Sequence, residues 1–359
     1  MEIGDFIVLL LPLFFWGLWP ILRVLCGAPM AAFATLNMLS QFLTACTYLL
    51  LLGSFSDAID VLKSPNLREW AVFAGGFALG HADQLSALSM SYLPAAIAFP
   101  LYAGTCVVLA QLLNVIQTGS ESPVLLGLGL ALVALGLVLL TITQSLKEQH
   151  SIKTAGIELE LPNYNPDIPD IQNLGGQNSQ NKDISRPSLT ASELTEKHIS
   201  TNLALFICLT GGLLAGGWSP LSTYARAGGS SSEAVQDPYV CLFIFQLGQL
   251  CAIPTITNFG GYLTGTGVVK PIQALDIRAV FWGVMCGVFI ASGYVTYFAS
   301  SAVISPTVVF GIVTCCPLLT MVVDIIRGEF KGTSMNVKIC LGLSITAYSS
   351  AIAVLVQLS

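Results

Sequence analysis

The sequence predicts an all-α polytopic membrane protein, with ten transmembrane helices arranged as two inverted repeats of five. Three observations predict it. Of 359 residues, 54% are apolar and 9% charged, against about 25% charged in a soluble domain, so most of this surface cannot face water. The apolar residues fall in runs of about 20, the length a helix needs to cross roughly 30 Å of hydrocarbon. Short motifs also recur in the same order in the two halves.

The spans are expected at 5–25, 31–53, 69–90, 94–117 and 124–144, then at 201–223, 238–258, 278–298, 303–326 and 338–358. The start, Met1-Glu2-Ile3-Gly4-Asp5, has no basic segment, and the run after it is long enough to span, so it reads as a first helix and not a cleaved signal. The first five-span unit covers 1–144 and the second 201–359. Between them, 145–200 is rich in Gln, Asn, Ser, Pro and acids. Such a composition buries too little surface to fold alone and predicts a disordered polar loop. A shorter flexible connection is expected at Gly260–Gly267.

Three matches carry the repeat. Ala71-Val-Phe-Ala-Gly-Gly76 opens span three as Ala279-Val-Phe-Trp-Gly-Val284 opens span eight. Leu113-Asn-Val-Ile-Gln-Thr-Gly119 closes span four as Val323-Asp-Ile-Ile-Arg-Gly328 closes span nine. Gly17-Leu-Trp19-Pro20 in span one answers Gly217-Trp218-Ser-Pro220 in span six. Five is odd, so consecutive units must run oppositely through the membrane. Inverted repeats of this kind belong to many secondary transporters, with sites near the midplane between repeats. Arg23, Lys147, Lys153, Lys197, Lys270, Arg278, Arg327, Lys331 and Lys338 lie on the central loop's side, and Lys63, Arg68 and Arg226 on the other. That bias puts the loop in the cytosol of a plasma membrane or endomembrane protein.

Glycine pairs Gly76/Gly80, Gly212/Gly216 and Gly283/Gly287 mark spans three, six and eight as closely packed inner helices. A proline beside tryptophan in the first span of each unit predicts paired bends, with Trp19 and Trp218 walling a site. The competing reading is interfacial tryptophans with incidental kinks. Asn37, Gln41, Thr44 and Tyr48 stripe one face of span two, and Gln246 and Gln249 answer from span seven. Primary amides donate and accept, which suits ureas, nucleobases and sugar hydroxyls, although interhelical bonding alone would also use them.

Span three holds Gly80-His81-Ala-Asp83-Gln84. Asp83 shares the Gly76/Gly80 face and His81 that of Gln84, so the two do not form a ready pair. An acid inside a span is a candidate proton carrier, and the alternative is a structural, hydrogen-bonded carboxyl. Asp324, near the end of span nine, is expected to pair with Arg327. Tyr294 shares the Gly283/Gly287 face and could stack on a planar solute.

Ten cysteines lie in or beside apolar runs without zinc-ligand spacing, and read as small hydrophobes. With three histidines, no Ser-His-Asp or metal constellation is visible, which argues against an enzyme. A net charge of −6 without a basic patch argues against nucleic acid as a partner.

These residues resemble the drug/metabolite transporter superfamily. Within it, Gly17-Leu-Trp19-Pro20, Arg68-Glu-Trp70, Ala74-Gly-Gly76, Gly80-His-Ala-Asp-Gln84, Trp218-Ser-Pro220 and Asp324-Ile-Ile-Arg-Gly-Glu329 are similar to the ureide permease and sugar porter-like branch. His81 stands where that branch commonly has Asn, and 145–200 lacks its nucleotide-loop-like motif. The resemblance implies symport of a ureide, nucleobase or sugar, with H+ as coupling ion and no other cofactor. The residues expected to bind solute are Trp19, Asn37, Gln41, Gln84, Trp218, Gln246, Gln249 and Tyr294. Asp83 and His81 are expected to couple protons. The expected partners are the small-molecule solute and the lipid bilayer, with a homodimer admissible. A non-transporting receptor or scaffold docking through 145–200 is the alternative.

Overall fold

The computed structural model describes residues 3–28, 30–90, 92–93, 95–118, 122–159, 200–226, 237–264 and 275–357. Among them the regular structure is entirely helical. The helices are α1 (Ile3–Gly17), α2 (Trp19–Cys26), α3 (Met30–Leu52), α4 (Phe55–Lys63), α5 (Leu67–Met90), α6 (Ala95–Thr118) and α7 (Pro123–Leu159). They continue as α8 (Thr201–Arg226), α9 (Pro238–Thr264), α10 (Ile277–Val303), α11 (Pro306–Val313), α12 (Pro317–Ile326) and α13 (Met335–Val356).

Among the described residues six stretches are long and apolar enough to cross a membrane: Ala32–Leu52, Pro123–Lys147, Asn202–Arg226, Ile277–Val303, Pro306–Ile326 and Met335–Val356. Leu9–Arg23, Leu101–Gln117 and Pro238–Ile253 are shorter apolar helices. The outward surface carries Leu43, Val108, Ile116, Val124 and Ile326, as contact with lipid requires. The chain is an integral, multi-pass, all-α membrane protein. Helix α5 belongs to neither group because it carries Arg68, Glu69, His81, Asp83 and Gln84. It packs along α8 and α9, so protein covers much of its polar surface.

The glycines expected at close crossings are there. A Cβ on Gly76 would collide with the Phe245 carbonyl oxygen of α9, and one on Gly80 would lie 2.9 Å from the Gln249 oxygen. On α10, Gly287 approaches the Asn37 oxygen and Ser40 of α3, while Gly216 of α8 faces the Cys106 oxygen of α6. Without a hydrophobic drive between helices in lipid, close backbone approach supplies the dispersion contacts that hold them together. Hydroxyls add to it: Ser40 Oγ donates to Val284 O at 2.7 Å, and Tyr48 Oη pairs with Ser292 Oγ at 2.6 Å.

Two apolar segments are broken. Leu18 interrupts the first, so α1 ends at Gly17 and Pro20 falls in the first turn of α2. Thr314–Cys316 interrupts another just before Pro317, which lacks the N–H that a continuous helix needs. The breaks are docked on each other: Thr320 Oγ1 donates to Gly17 O at 2.8 Å, and a Cβ on Gly17 would lie 2.8 Å from that of Leu319. The sequence places the second bend at Pro220, but α8 runs through that proline without interruption.

Other elements also differ from expectation. Helix α7 continues to Leu159, so the first residues of the segment read as loop are helical, and 160–199 lies outside the described residues. Helix α9 likewise continues into the glycine connection as far as Thr264. An extra helix, α4, follows α3, its N-cap Ser54 accepting from the Asp57 N–H.

Candidate functional site

Asn37 and Gln41 are four apart on α3, and Gln246 and Gln249 three apart on α9, so each pair shares a helix face. The two helices pack together, and Gln246 Nε2 donates to Gln41 Oε1 at 3.1 Å. All four side chains are buried. Yet Asn37 Oδ1, Gln41 Nε2, Gln246 Oε1 and both polar atoms of Gln249 have no hydrogen-bond partner. An unsatisfied buried polar group costs about 1–3 kcal/mol, and native proteins hold few of them. Five such atoms from two facing helices make a layer of donors and acceptors suited to a polar guest. Gln84 of α5, also buried, faces α3, its Nε2 donating to Met38 Sδ at 3.7 Å, a weak acceptor.

Beside the amides stands an aromatic cage. Trp218 of α8 meets Tyr294 and Tyr297 of α10 edge-on, with ring centroids 5.5 and 5.0 Å away, and Phe245 of α9 at 5.6 Å. Trp16 of α1 closes it, 4.9 Å from Tyr294 and 5.9 Å from Trp218, its Nε1 donating to Ile290 O at 3.2 Å. Gln249 lies beside Tyr294 and joins the amide layer to the cage. Trp19 does not enter. It lies past the break at Leu18 and packs on Phe33 at 6.2 Å, where the Arg23 guanidinium covers the same ring at 4.7 Å. Trp16 escaped the sequence reading because the Trp–Pro pairing drew the choice to Trp19. The signal was the break itself, which leaves only the tryptophan before Gly17 on α1.

Asp83 and His81 diverge. The half-buried Asp83 accepts from Tyr102 Oη at 3.2 Å, within electrostatic range of Tyr294 in the cage. His81 pairs its Nδ1 with its own helix at Phe77 O (2.8 Å), and its ring lies 4.3 Å from that of Phe77. Of the two, Asp83 is the one on the side of the site.

No family model and no curated protein matches this chain. Among solved structures, one described as "Crystal structure of protein" is similar over 100% of this chain and 100% of its own, at 12% identity and a TM-score of 0.61. At that identity the likeness concerns the fold.

A further polar group lies nearer the C-terminal end of α8. Asn114 Nδ2 of α6 donates to Ser219 Oγ at 2.9 Å, Thr223 Oγ1 donates to Asn114 Oδ1 at 3.2 Å, and Ser219 Oγ pairs with Tyr297 Oη at 2.9 Å. Tyr297 therefore belongs both to this network and to the cage. At the opposite end Arg327 pairs with Glu329 at 3.8 Å, not with Asp324, and Lys147 pairs with the same carboxylate at 3.3 Å. Glu329 follows the positive-φ turn at Gly328, and its ion pair with Lys147 ties that turn to α7.

Proposed function

We propose that this chain is a secondary active transporter of a small polar organic solute, working by alternating access across ten spans built as two inverted five-helix repeats. The observation that carries the reading is the layer of buried amides at Asn37, Gln41, Gln246 and Gln249, five of whose polar atoms lack a hydrogen-bond partner, bordered by the cage of Trp16, Trp218 and Tyr294. Amides satisfy the donors and acceptors of a ureide, nucleobase or sugar, and aromatic faces take the planar or apolar side of such a molecule.

Helix packing supports the repeat. Pairing each span with the one five places later exchanges α5 with α10, α8 with the broken α1–α2, and α3 with α9. The contacts of α5 with α8 and α9 then become those of α10 with α1 and α3, and both sets are present. The contacts α3 with α9 and α7 with α13 map onto themselves. The lysine and arginine bias supports a cytosolic 145–200 segment. Asp83, bonded to Tyr102 beside the cage, is the candidate proton carrier, with H+ as coupling ion.

The deciding experiment is uptake by proteoliposomes across a panel of ureides, nucleobases and sugars, with and without an imposed pH gradient. Saturable uptake of at least one, accelerated by inward proton flow, is expected. Folded protein that takes up no member of the panel refutes the reading.

A further inference from the structure

Ser219, Thr223 and Arg226 recur on α8 at intervals of four and three, so they share one face. That face meets Asn114 of α6 and Tyr297 of α10. Asn114, Ser219, Thr223 and Tyr297 are all buried, at 0%, 0%, 3% and 1% exposure. Arg226, the last residue of α8, lies within electrostatic range of Tyr297 and Cys241. Its Nε and Nη1 are shielded from solvent and have no hydrogen-bond partner. The position at a helix C-terminus favours a cation, but a helix dipole does not bond these N–H groups.

Among the described residues the group that reaches this guanidinium is the Cys241 thiol, a weak acceptor that leaves Nε and Nη1 unpaired. Asp237, which lies within electrostatic range of Cys241, already takes the Ser54, Tyr239 and Val240 N–H groups at 3.2, 2.7 and 3.4 Å. Ion pairs among the described residues do not include Arg226. Within the network Asn114 Oδ1 is engaged by Thr223, and Tyr297 bonds the hydroxyls of both Ser219 and Thr223, so the oxygens of the network are already in use. The constellation is rich in donors and poor in acceptors. Its complement is a group that only accepts, a carboxylate or a phosphate, for which a guanidinium is the strongest partner.

We propose that Arg226, with Thr223 and the Ser219–Tyr297 pair, binds the anionic group of the transported solute, while the cage and the amides hold its uncharged body. This rests on the transport reading above and narrows its substrate class to those ureides, nucleobases or sugars that carry an anionic group. A lipid phosphate has the same chemistry. The shielded donors, and the continuity through Tyr297 into the cage, favour the solute.

The test uses full-length protein in phosphatidylcholine nanodiscs, titrated with inorganic phosphate or succinate at constant ionic strength. Thermal unfolding is followed by tryptophan fluorescence. At least one anion should raise Tm saturably in the wild type, the response should vanish in R226Q, and its midpoint should move at least about tenfold higher in R226K. Should R226Q not fold, R226K decides alone. No response in the wild type, or an unchanged response in either variant, overturns the proposal. So does a wild-type Tm raised by phosphatidylglycerol nanodiscs alone and not by the free anions, which would assign Arg226 to a lipid headgroup. Binding is read without transport, so an anion-binding protein that transports nothing refutes the transport reading and leaves the subsite standing. A protein that takes up only uncharged solutes refutes the subsite alone.

Discussion

Gly76→Ala puts one methyl where α5 and α9 touch backbone to backbone. The added Cβ would overlap the Phe245 carbonyl oxygen, with the Phe245 Cα 3.1 Å away. A comfortable carbon–oxygen contact needs about 3.3 Å, and a carbonyl in a helix cannot rotate aside. The helices must therefore part by about an ångström. Gly248 of α9, which meets the Phe73 oxygen of α5, loses its close approach at the same time. Overpacking costs about 1–3 kcal/mol, and a backbone obstacle places this case at the upper end. In a chain of this size the loss corresponds to a Tm lowered by on the order of 5 °C. Gly342→Ala is the control, since no heavy atom lies within 4 Å of its added Cβ. It gains about 0.5–1 kcal/mol of helix propensity. Thermal unfolding of both variants in the same nanodiscs checks the difference. Equal Tm values would refute the close crossing of α5 and α9. Parting these helices also draws Gln249 away from α3, so uptake by Gly76→Ala should show a raised KM.

Removing one amide of the Gln41–Gln246 pair leaves its partner unsatisfied, so Gln41→Leu and Gln246→Leu should each lose about 1–3 kcal/mol. The double variant should recover most of the stability but none of the uptake, which a double-mutant cycle on Tm and transport would read. Trp16→Ala should abolish uptake, whereas Trp19→Ala, on the far side of the break, should keep KM within about twofold while losing stability on the order of 3 kcal/mol from its packing on Phe33. Asp83→Asn should fold and still take up solute downhill but no longer respond to an imposed pH gradient; a retained response would make Asp83 structural. Thr320→Val should lower Tm by the loss of the bond to Gly17 O, about 1 kcal/mol, with Thr320→Ser close to wild type.

The amides were legible because polar side chains are scarce in apolar runs and their spacing assigns them a face. Asn37, Gln41, Gln246 and Gln249 required no knowledge of the fold. The tight glycine crossings were legible for a similar reason, since small residues four apart have one common use between helices in lipid. The breaks were harder. Proline marks where a helix can yield, but whether it does depends on a neighbour to accept or donate at the opening. Gly17 O finds the Thr320 hydroxyl, while Pro220 stays within α8. That neighbour lies 303 positions away in sequence, so the choice between Trp16 and Trp19 could not be made locally. Arg226 was passed over for another reason. Counted as one positive charge for orientation, it gave no sign that its donors are shielded from solvent near Cys241 and Tyr297.

The tightest packing does not follow the two sequence halves. Helices α1, α2 and α3 of the first half gather around α10 of the second, and α8 and α9 of the second gather with α6 around α5 of the first. The backbone crossings of Gly287 on Asn37 and of Gly76 on Phe245 lie inside these mixed groups, where helices cannot slide without loss of contact. Between the groups, where α3 packs on α9, the contacts include exchangeable side-chain pairs: Gln41 with Gln246, and Trp16 and Tyr294 with Trp218 and Phe245. Amides and aromatic edges can exchange partners at low cost, whereas a glycine backbone crossing cannot. In the proposed cycle the seam between the mixed groups is therefore where the bundle opens, and the solute replaces the Gln41–Gln246 bond that holds it shut.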